Sequence, residues 1–279
     1  MNLYDITCLE CSKIITEKYS TSFSSGIKAF HQRFRYPIYA IYGFVRYADE
    51  IVDTFHSHDQ SKLINDFKQE TFKAIDQKIS LNPVLHSFQY AVNKYQIEPA
   101  LIEGFLRSME MDLEKKAYDH ADYKDYIYGS AEVIGLMCLR VFCEGNGQIY
   151  HSLMPMARSL GSAFQKLNFL RDMKTDYEDR GRTYFPGVDF KNFTEQDKQR
   201  IEDEIKTDFD EAIKGIKQLP RGTKLGVYIA YSYYLQLFKK IRNTSAAVLM
   251  QKRIRLSDTR KSAIYGRAWL KQKLNAINN

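Results

Sequence analysis

Leu160-Gly161-Ser162-Ala163-Phe164-Gln165-Lys166-Leu167-Asn168-Phe169-Leu170-Arg171-Asp172-Met173-Lys174-Thr175-Asp176 carries two patterns at once. Gln165, Asn168, Asp172 and Asp176 are spaced by three, four and four, which makes one polar stripe over three turns of a helix. Leu160, Ala163, Phe164, Leu167 and Leu170 supply apolar surroundings. A polar stripe in an otherwise core-like helix must be hydrated, ion-bound or facing a cavity, because unpaired burial costs several kcal/mol per charge.

The device recurs upstream in Arg46, Asp49 and Asp53, where Asp49 and Asp53 again have i, i+4 spacing. Carboxylates so spaced lie about 40° apart on one helical face and repel one another unless cations hold them. Two such pairs facing each other across a helical bundle would bind several Mg²⁺ ions, and these in turn would grip a diphosphate. Arg46, three residues before Asp49, suits that site because its planar fork binds phosphate oxygens that the metal leaves free. An acidic face neutralised by neighbouring lysines and arginines is the competing reading for either pair alone. Two pairs, each with an adjoining arginine and an apolar frame, weigh against it.

The rest of the chain reads as all-helical. Apolar residues recur at three and four positions, and alternating runs bounded by hairpin signals are missing. Helices are expected near 4 to 18, 22 to 33, 38 to 56, 59 to 78, 82 to 94, 98 to 114, 122 to 144, 148 to 177, 194 to 217, 223 to 246 and 257 to 276. Pro37 suits the first turn of the helix carrying Asp49, and Pro99 and Pro220 punctuate other boundaries. Arg180-Gly181-Arg182-Thr183-Tyr184-Phe185-Pro186-Gly187 follows directly after Asp176, so its arginines fold back toward that site. The 279 residues hold six scattered prolines and no low-complexity tract, so one continuous domain over 1-279 is expected.

No apolar run approaches the roughly 18 to 20 residues of a membrane span, and the start lacks the basic-then-apolar order of a signal peptide. A cytoplasmic protein is expected. Cys8 and Cys11 have no second pair to complete a zinc site, and the four cysteines read as reduced structural thiols. His56 and His58, two apart, point to different sides and read as solvated helix-end residues. Net charge is +7, concentrated in Lys252, Arg253, Arg255, Arg260, Lys261, Arg267, Lys271 and Lys273 against Asp258. A solvated amphipathic helix, capture of an anionic ligand, or peripheral contact with an acidic membrane surface accounts for that run. Nucleic acid is disfavoured, because no zinc-finger spacing or RNP-like aromatic motif accompanies the charge.

Five segments together resemble the squalene and phytoene synthase family, the head-to-head prenyl synthases: Tyr19 to Phe23, Ile41 to Asp53, Met109 to Leu113, Tyr128 to Met137, and Leu160 to Asp176 with Arg182 to Pro186. The resemblance, closest to bacterial phytoene synthases, implies an all-α class I isoprenoid synthase bundle around a central cavity. It also implies that Asp49, Asp53, Asp172 and Asp176 bind Mg²⁺, or Mn²⁺ in its place, with Asn168 as a neutral oxygen ligand. Gln165 would position the metal-bound diphosphate or its water. Ser20, Arg46 and Arg171 would contact diphosphate oxygens, and Tyr128 would sit beside the diphosphate and the cationic intermediate. Glu132 departs from the pattern, standing where many relatives carry glycine.

The implied reaction is Mg²⁺-dependent condensation of two geranylgeranyl diphosphates to phytoene through prephytoene diphosphate. The alternative is two farnesyl diphosphates giving dehydrosqualene or, with NADPH, squalene. A terpene cyclase or chain elongator would show an Asp-Asp-x-x-Asp type motif, whereas three residues separate the aspartates in both pairs here. A non-catalytic scaffold relative would be expected to lose metal-binding aspartates, and all four remain. Glu50, about 100° from Asp49, is expected to be exposed, and Asp112 and Glu114 to support a helix contact. The 20 tyrosines and 17 phenylalanines read mostly as core, some lining an apolar tunnel in such a family.

Overall fold

Caps written into the sequence start the helices. A computed structural model describes residues 1–273. Asn2 with Asp5, and Thr194 with Asp197, form reciprocal capping boxes at the starts of α1 (Leu3–Tyr19) and α10 (Glu195–Gln218). Ser20, Asp59, Asn82 and Asp119 accept backbone N–H groups at the starts of α2 (Thr21–Lys28), α4 (Gln60–Gln77), α5 (Pro83–Tyr95) and α7 (His120–Ile127). The other helices are α3 (Gln32–Asp53), α6 (Pro99–Glu114), α8 (Val133–Cys143), α9 (Gly147–Arg180), α11 (Lys224–Arg242), α12 (Ala246–Leu249) and α13 (Asp258–Lys273). Among the described residues, the strand-like element is one isolated bridge, Ala117 to Thr183.

The 34 residues of α9 run about 50 Å and form the spine. One apolar cluster gathers α3, α5, α6 and α8 around Phe44, whose ring stacks on Phe88 at 3.9 Å and meets Phe105 at 5.3 Å. A second gathers α7, α9, α10 and α11 around Leu167, Phe209, Leu237 and Ile241. Val227 of α11 packs against both. Between them lies an apolar cavity, and the face of α9 from Leu153 to Asn168 forms one of its walls.

Several boundaries differ from the sequence expectation. The helix expected over 22 to 33 ends at Lys28, and α3 starts at Gln32, so Pro37 lies in its second turn rather than its first. The helix expected over 38 to 56 stops at Asp53, which makes that aspartate the last helical residue. A π-helical turn, Tyr128–Glu132, interrupts the stretch expected over 122 to 144. Gly129 there is pressed against Ser108 and the carbonyl of Gly104, where no side chain fits. The helix over 223 to 246 ends at Arg242, and 274 to 276 of the last expected helix lie outside the described residues. The stretch His120–Cys143 is 24 residues long and, by length and composition, apolar enough to cross a membrane. It was not expected from the sequence; 61% of its window is buried within the fold, as suits a core helix.

Candidate active site

The two aspartate motifs meet through tyrosines and arginines. On α3, Tyr42, Arg46, Asp49 and Asp53 follow one another at helical spacing. The Arg46 guanidinium lies 4.4 Å from the centre of the Tyr19 ring, pairs with Glu50 and stands 3.7 Å from Asp49. Glu50 is therefore a partner of Arg46, its side chain only 16% exposed, rather than the solvated residue expected. On α9, Arg171 grips its neighbour Asp172 with two hydrogen bonds of 2.9 and 2.5 Å. Arg253, from the segment before α13, adds contacts of 2.6 and 3.0 Å to the same carboxylate.

Tyr234 of α11 links this end of α9 to α3. It lies beside Asn168 and feels the charges of Arg171 and Asp172, while Tyr42 lies beside Ser20 and feels those of Arg46 and Asp49. Burial pushes both phenols up, so both remain protonated at neutral pH.

The second junction is Arg182. The αL cap at Gly181 ends α9 and turns the chain back, so the Arg182 N–H donates to the carbonyl of Asp176 at 2.9 Å. Thr183 N–H then donates to the carbonyl of Lys116 at 2.9 Å, holding the loop beside α6. The Arg182 side chain stands 3.2 Å from Asp112 and 3.9 Å from Asp53, and donates to the Asp112 carbonyl at 2.7 Å. Asp112 is 8% exposed and also accepts from Tyr126 at 2.7 Å and Tyr118 at 3.4 Å. Burial alone would depress the guanidinium, but the Asp112 carboxylate more than offsets it and holds Arg182 firmly charged. Asp176, 7% exposed, and Arg182 both line a small pocket with Phe169 and Tyr184. The side chain of Arg180 is outside the described set.

Of the residues singled out in the sequence, Arg46, Asp49 and Asp53 share α3 with Ser20 at the cap of α2, and Gln165, Asn168, Arg171, Asp172 and Asp176 share α9. Arg182 stands between the two motifs, 3.9 Å from Asp53 and bonded through its N–H to the Asp176 carbonyl. The Tyr128 ring packs at Gly104 and lies under the Arg158 guanidinium at 5.3 Å. Glu132 takes hydrogen bonds from Ser162 at 2.6 Å and Arg158 at 2.5 Å. The side chain that departs from the family pattern thereby pins the π turn to α9. His56 and His58 are exposed in the turn after α3. All four cysteines are free thiols.

Sequence reasoning missed Arg253 and Tyr234, which reach the site from 81 and 62 residues beyond Asp172 and carry no local signal. Tyr42 was detectable, since it continues the Arg46, Asp49, Asp53 stripe one turn earlier. Asp112 is the unexpected hub of the Arg182 network.

The cavity beside these groups has a volume of about 270 Å³. Gln165, Asn168 and Tyr234 form its polar end, and Phe30, Ile38, Phe142 and Leu153 contribute to its apolar wall. From Asn168 to Leu153 the α9 wall runs about 22 Å at 1.5 Å per residue. The donor set suits Mg²⁺, being carboxylates and one amide oxygen. The Asn168 Oδ1 atom is buried with no hydrogen-bond partner, as an oxygen kept for a cation or its water would be. Among the described residues no three His, Cys, Asp or Glu side chains converge on one point. Mg²⁺ is ordinarily held by one or two carboxylates plus substrate phosphates rather than by a protein cage, so the residues fit it.

An all-helical bundle around an apolar cavity, with two aspartate-bearing helices at the polar end, defines the isoprenoid synthase fold. The sequence profile of squalene/phytoene synthases matches residues 16–260, and the chain belongs to that family. Among curated relatives it is 26% identical over 260 residues to the chloroplastic phytoene synthase of Daucus carota, covering 86% of this chain and 64% of that protein. It is 27% identical over 257 residues to the 15-cis-phytoene synthase of Synechocystis sp., covering 81% and 74%. It is 26% identical over 200 residues to the 4,4'-diapophytoene synthase of Staphylococcus haemolyticus, covering 71% and 67%. The chain thus spans about two thirds of the length of these proteins. A dehydrosqualene synthase crystal structure superposes with a TM-score of 0.82, covering 96% of this chain and 98% of that one at 19% identity.

Proposed function

We propose that this chain is a prenyltransferase that joins two prenyl diphosphates head to head, and that the substrates are two geranylgeranyl diphosphates giving phytoene. The observation that carries the reading is the buried, unpartnered Asn168 oxygen at the polar end of an otherwise apolar cavity, on the same helical stripe as Asp172 and Asp176. Breaking an allylic carbon–oxygen bond separates a cation from a diphosphate, which is prohibitive in such a cavity unless the leaving group is neutralised. Arg46, Arg171 and Arg182 would bind its oxygens, and Gln165 and Ser20 would orient it. Mg²⁺, when bound through Asp49, Asp53, Asn168, Asp172 and Asp176, would supply further neutralisation of the diphosphate charge.

The cation would face Phe23, Phe164 and Tyr234, whose ring faces attract positive charge. The apolar walls exclude the water that would quench it. The C2=C3 double bond of the second substrate attacks, and proton loss closes the cyclopropane of prephytoene diphosphate. The released diphosphate is the base, since no histidine belongs to the site. A second ionisation, rearrangement and proton loss yield phytoene.

The cavity length supports the C20 substrate. Main-chain carbons joined by bonds of ~1.5 Å advance ~1.25 Å each, so a four-carbon isoprene repeat spans roughly 5 Å and four repeats roughly 20 Å. That is within the 22 Å wall. Two farnesyl diphosphates giving dehydrosqualene, or squalene with NADPH, are the second reading, favoured by the bulk of the Phe30 and Phe142 rings, which line the cavity and pack at 5.1 Å. We place the enzyme in the cytoplasm, working against a membrane surface, because its product is a hydrocarbon and its C-terminal region is basic. Incubation with farnesyl and geranylgeranyl diphosphates, with and without NADPH, followed by mass spectrometry of the hydrocarbons, tests the assignment. Mg²⁺-dependent conversion of the C20 donor to a C40 hydrocarbon is expected; no turnover of either donor would overturn it.

A further inference from the structure

The outer face of α13 has a composition that a purely structural helix does not need. α13 packs against α11, where Lys271 donates to the Tyr228 hydroxyl at 3.1 Å, and Ala268 on its inner side is only 2% exposed. On the opposite side Tyr265, Trp269 and Leu270 are 39, 43 and 54% exposed. At 100° per residue these three lie within an arc of about 140°, with Arg260 and Arg267 about 20° apart along one border of it. Water on an apolar arc beside a cationic edge is the arrangement of a helix that lies in a bilayer interface, where Trp and Tyr are favoured and anionic headgroups meet the cations.

A second cavity of about 370 Å³ lies beneath this helix, between Ser25 of α2, Tyr233 of α11, and Ile264 and Tyr265 of α13. Phe23 and Tyr234 wall both this space and the main cavity. We infer that α13 docks the enzyme onto an anionic bilayer, with the second cavity as the portal through which hydrocarbon passes between the reaction cavity and the membrane. This rests on the proposed prenyl transfer only for what passes through the portal; docking itself needs no substrate. Each methylene favours an apolar phase over water by roughly fourfold, so a long hydrocarbon leaves far more readily into a bilayer than into solvent. A second copy of the chain is a poor occupant of the face. Residues 252 to 273 carry eight lysines and arginines against Asp258, so two such faces would repel.

Trp269 is the chain's single tryptophan and sits on the docking face, so its fluorescence reads the contact directly. The full-length protein is mixed, without substrate, with vesicles of phosphatidylcholine alone or containing phosphatidylserine, some carrying brominated acyl chains. Serine-containing vesicles are expected to shift the emission to the blue and brominated chains to quench it, with binding weakened by salt. The Arg260→Ala/Arg267→Ala double variant is expected to lose roughly 30-fold in vesicle affinity, at about fivefold per cation. Leu270→Glu should abolish quenching while leaving diphosphate release with soluble short-chain donors unchanged. Unaltered emission with anionic vesicles, equal binding by the variants, or a blue shift that grows with protein concentration without vesicles would overturn the proposal. None of these outcomes bears on whether the enzyme condenses prenyl diphosphates, which the product assay decides separately.

Discussion

Replacing Asp112 by Asn should destabilise the fold and raise the Mg²⁺ requirement together. The Asp112 side chain is 5% exposed and that of Arg182 is 9% exposed. Removing one member of a buried pair costs about 3–5 kcal/mol, because the other charge is left behind. Asp53 remains 3.9 Å from Arg182 and recovers part of this, so about 2–3 kcal/mol is expected for Asp112→Asn. For a chain of this size each kcal/mol moves the melting temperature about 2–4 °C, so the midpoint should fall by about 4–12 °C. Arg182 would then turn fully onto Asp53 and compete with the cation there, raising the Mg²⁺ concentration for half-maximal diphosphate release about tenfold. Calorimetric melting and a Mg²⁺ titration of released diphosphate measure the two effects. Adding Arg182→Gln removes the stranded charge, and the double variant should be more stable than the sum of the single losses. A midpoint within 1 °C of the parent, or strictly additive losses, would refute the account of Arg182 as a charge shared between Asp112 and Asp53.

Asp172→Asn, like Asp49→Asn, should abolish turnover while circular dichroism shows helicity intact; near-normal activity would remove these residues from the metal site. Phe30→Ala removes a ring from the cavity wall at a cost of about 3–5 kcal/mol, and mass spectrometry should show a product ratio moved toward longer chains from mixed donors. The Glu98 carboxyl is held below its ordinary 4.5: burial works to raise it, but hydrogen bonds and charge from Arg140 outweigh that. Because its folded value is depressed, the stabilisation is present above the unfolded value and is lost as pH falls through the folded one. Arg140→Gln should therefore flatten the acid limb of a melting-temperature profile between pH 3 and 6, and an unchanged limb would remove the linkage.

The sequence made the spine of the site legible because its signals were local. Gln165, Asn168, Asp172 and Asp176 share one face of one helix, so periodicity alone aligned them, and the same holds for Arg46, Asp49 and Asp53. Apolar recurrence at three and four positions placed most helix starts within a few positions. What stayed hidden was non-local or fine-grained. Arg253 reaches Asp172 across 81 positions, and only tertiary packing brings it there. Periodicity does not distinguish a π turn from an α-helix over five residues, so the bulge at Tyr128–Glu132 and the direction of the Tyr128 ring were not foreseeable. Glu50 was misread because 100° from Asp49 was taken to face solvent, whereas Arg46, one turn earlier, is close enough to pair with it.

The ion pairs at the site set an order of binding. Arg46 pairs with Glu50 and stands beside Asp49, Arg171 and Arg253 both hold Asp172, and Arg182 lies between Asp112 and Asp53. The same arginines that would hold a diphosphate are thus engaged by carboxylates in the fold as it stands. An anion arriving first has those carboxylates for neighbours; two unit charges about 6 Å apart at an effective dielectric constant of 20 repel by about 3 kcal/mol, or about 100-fold in affinity. A divalent cation arriving first takes up the carboxylates and frees the arginines to turn toward phosphate oxygens. Calorimetric titration with inorganic diphosphate should thus show affinity about 100-fold weaker in chelator than in millimolar Mg²⁺, and Arg253→Gln, which removes a cation from Asp172, should widen that ratio. Equal affinity with and without Mg²⁺ would mean that the arginines already face the substrate and that the aspartates are neutralised by something other than the metal.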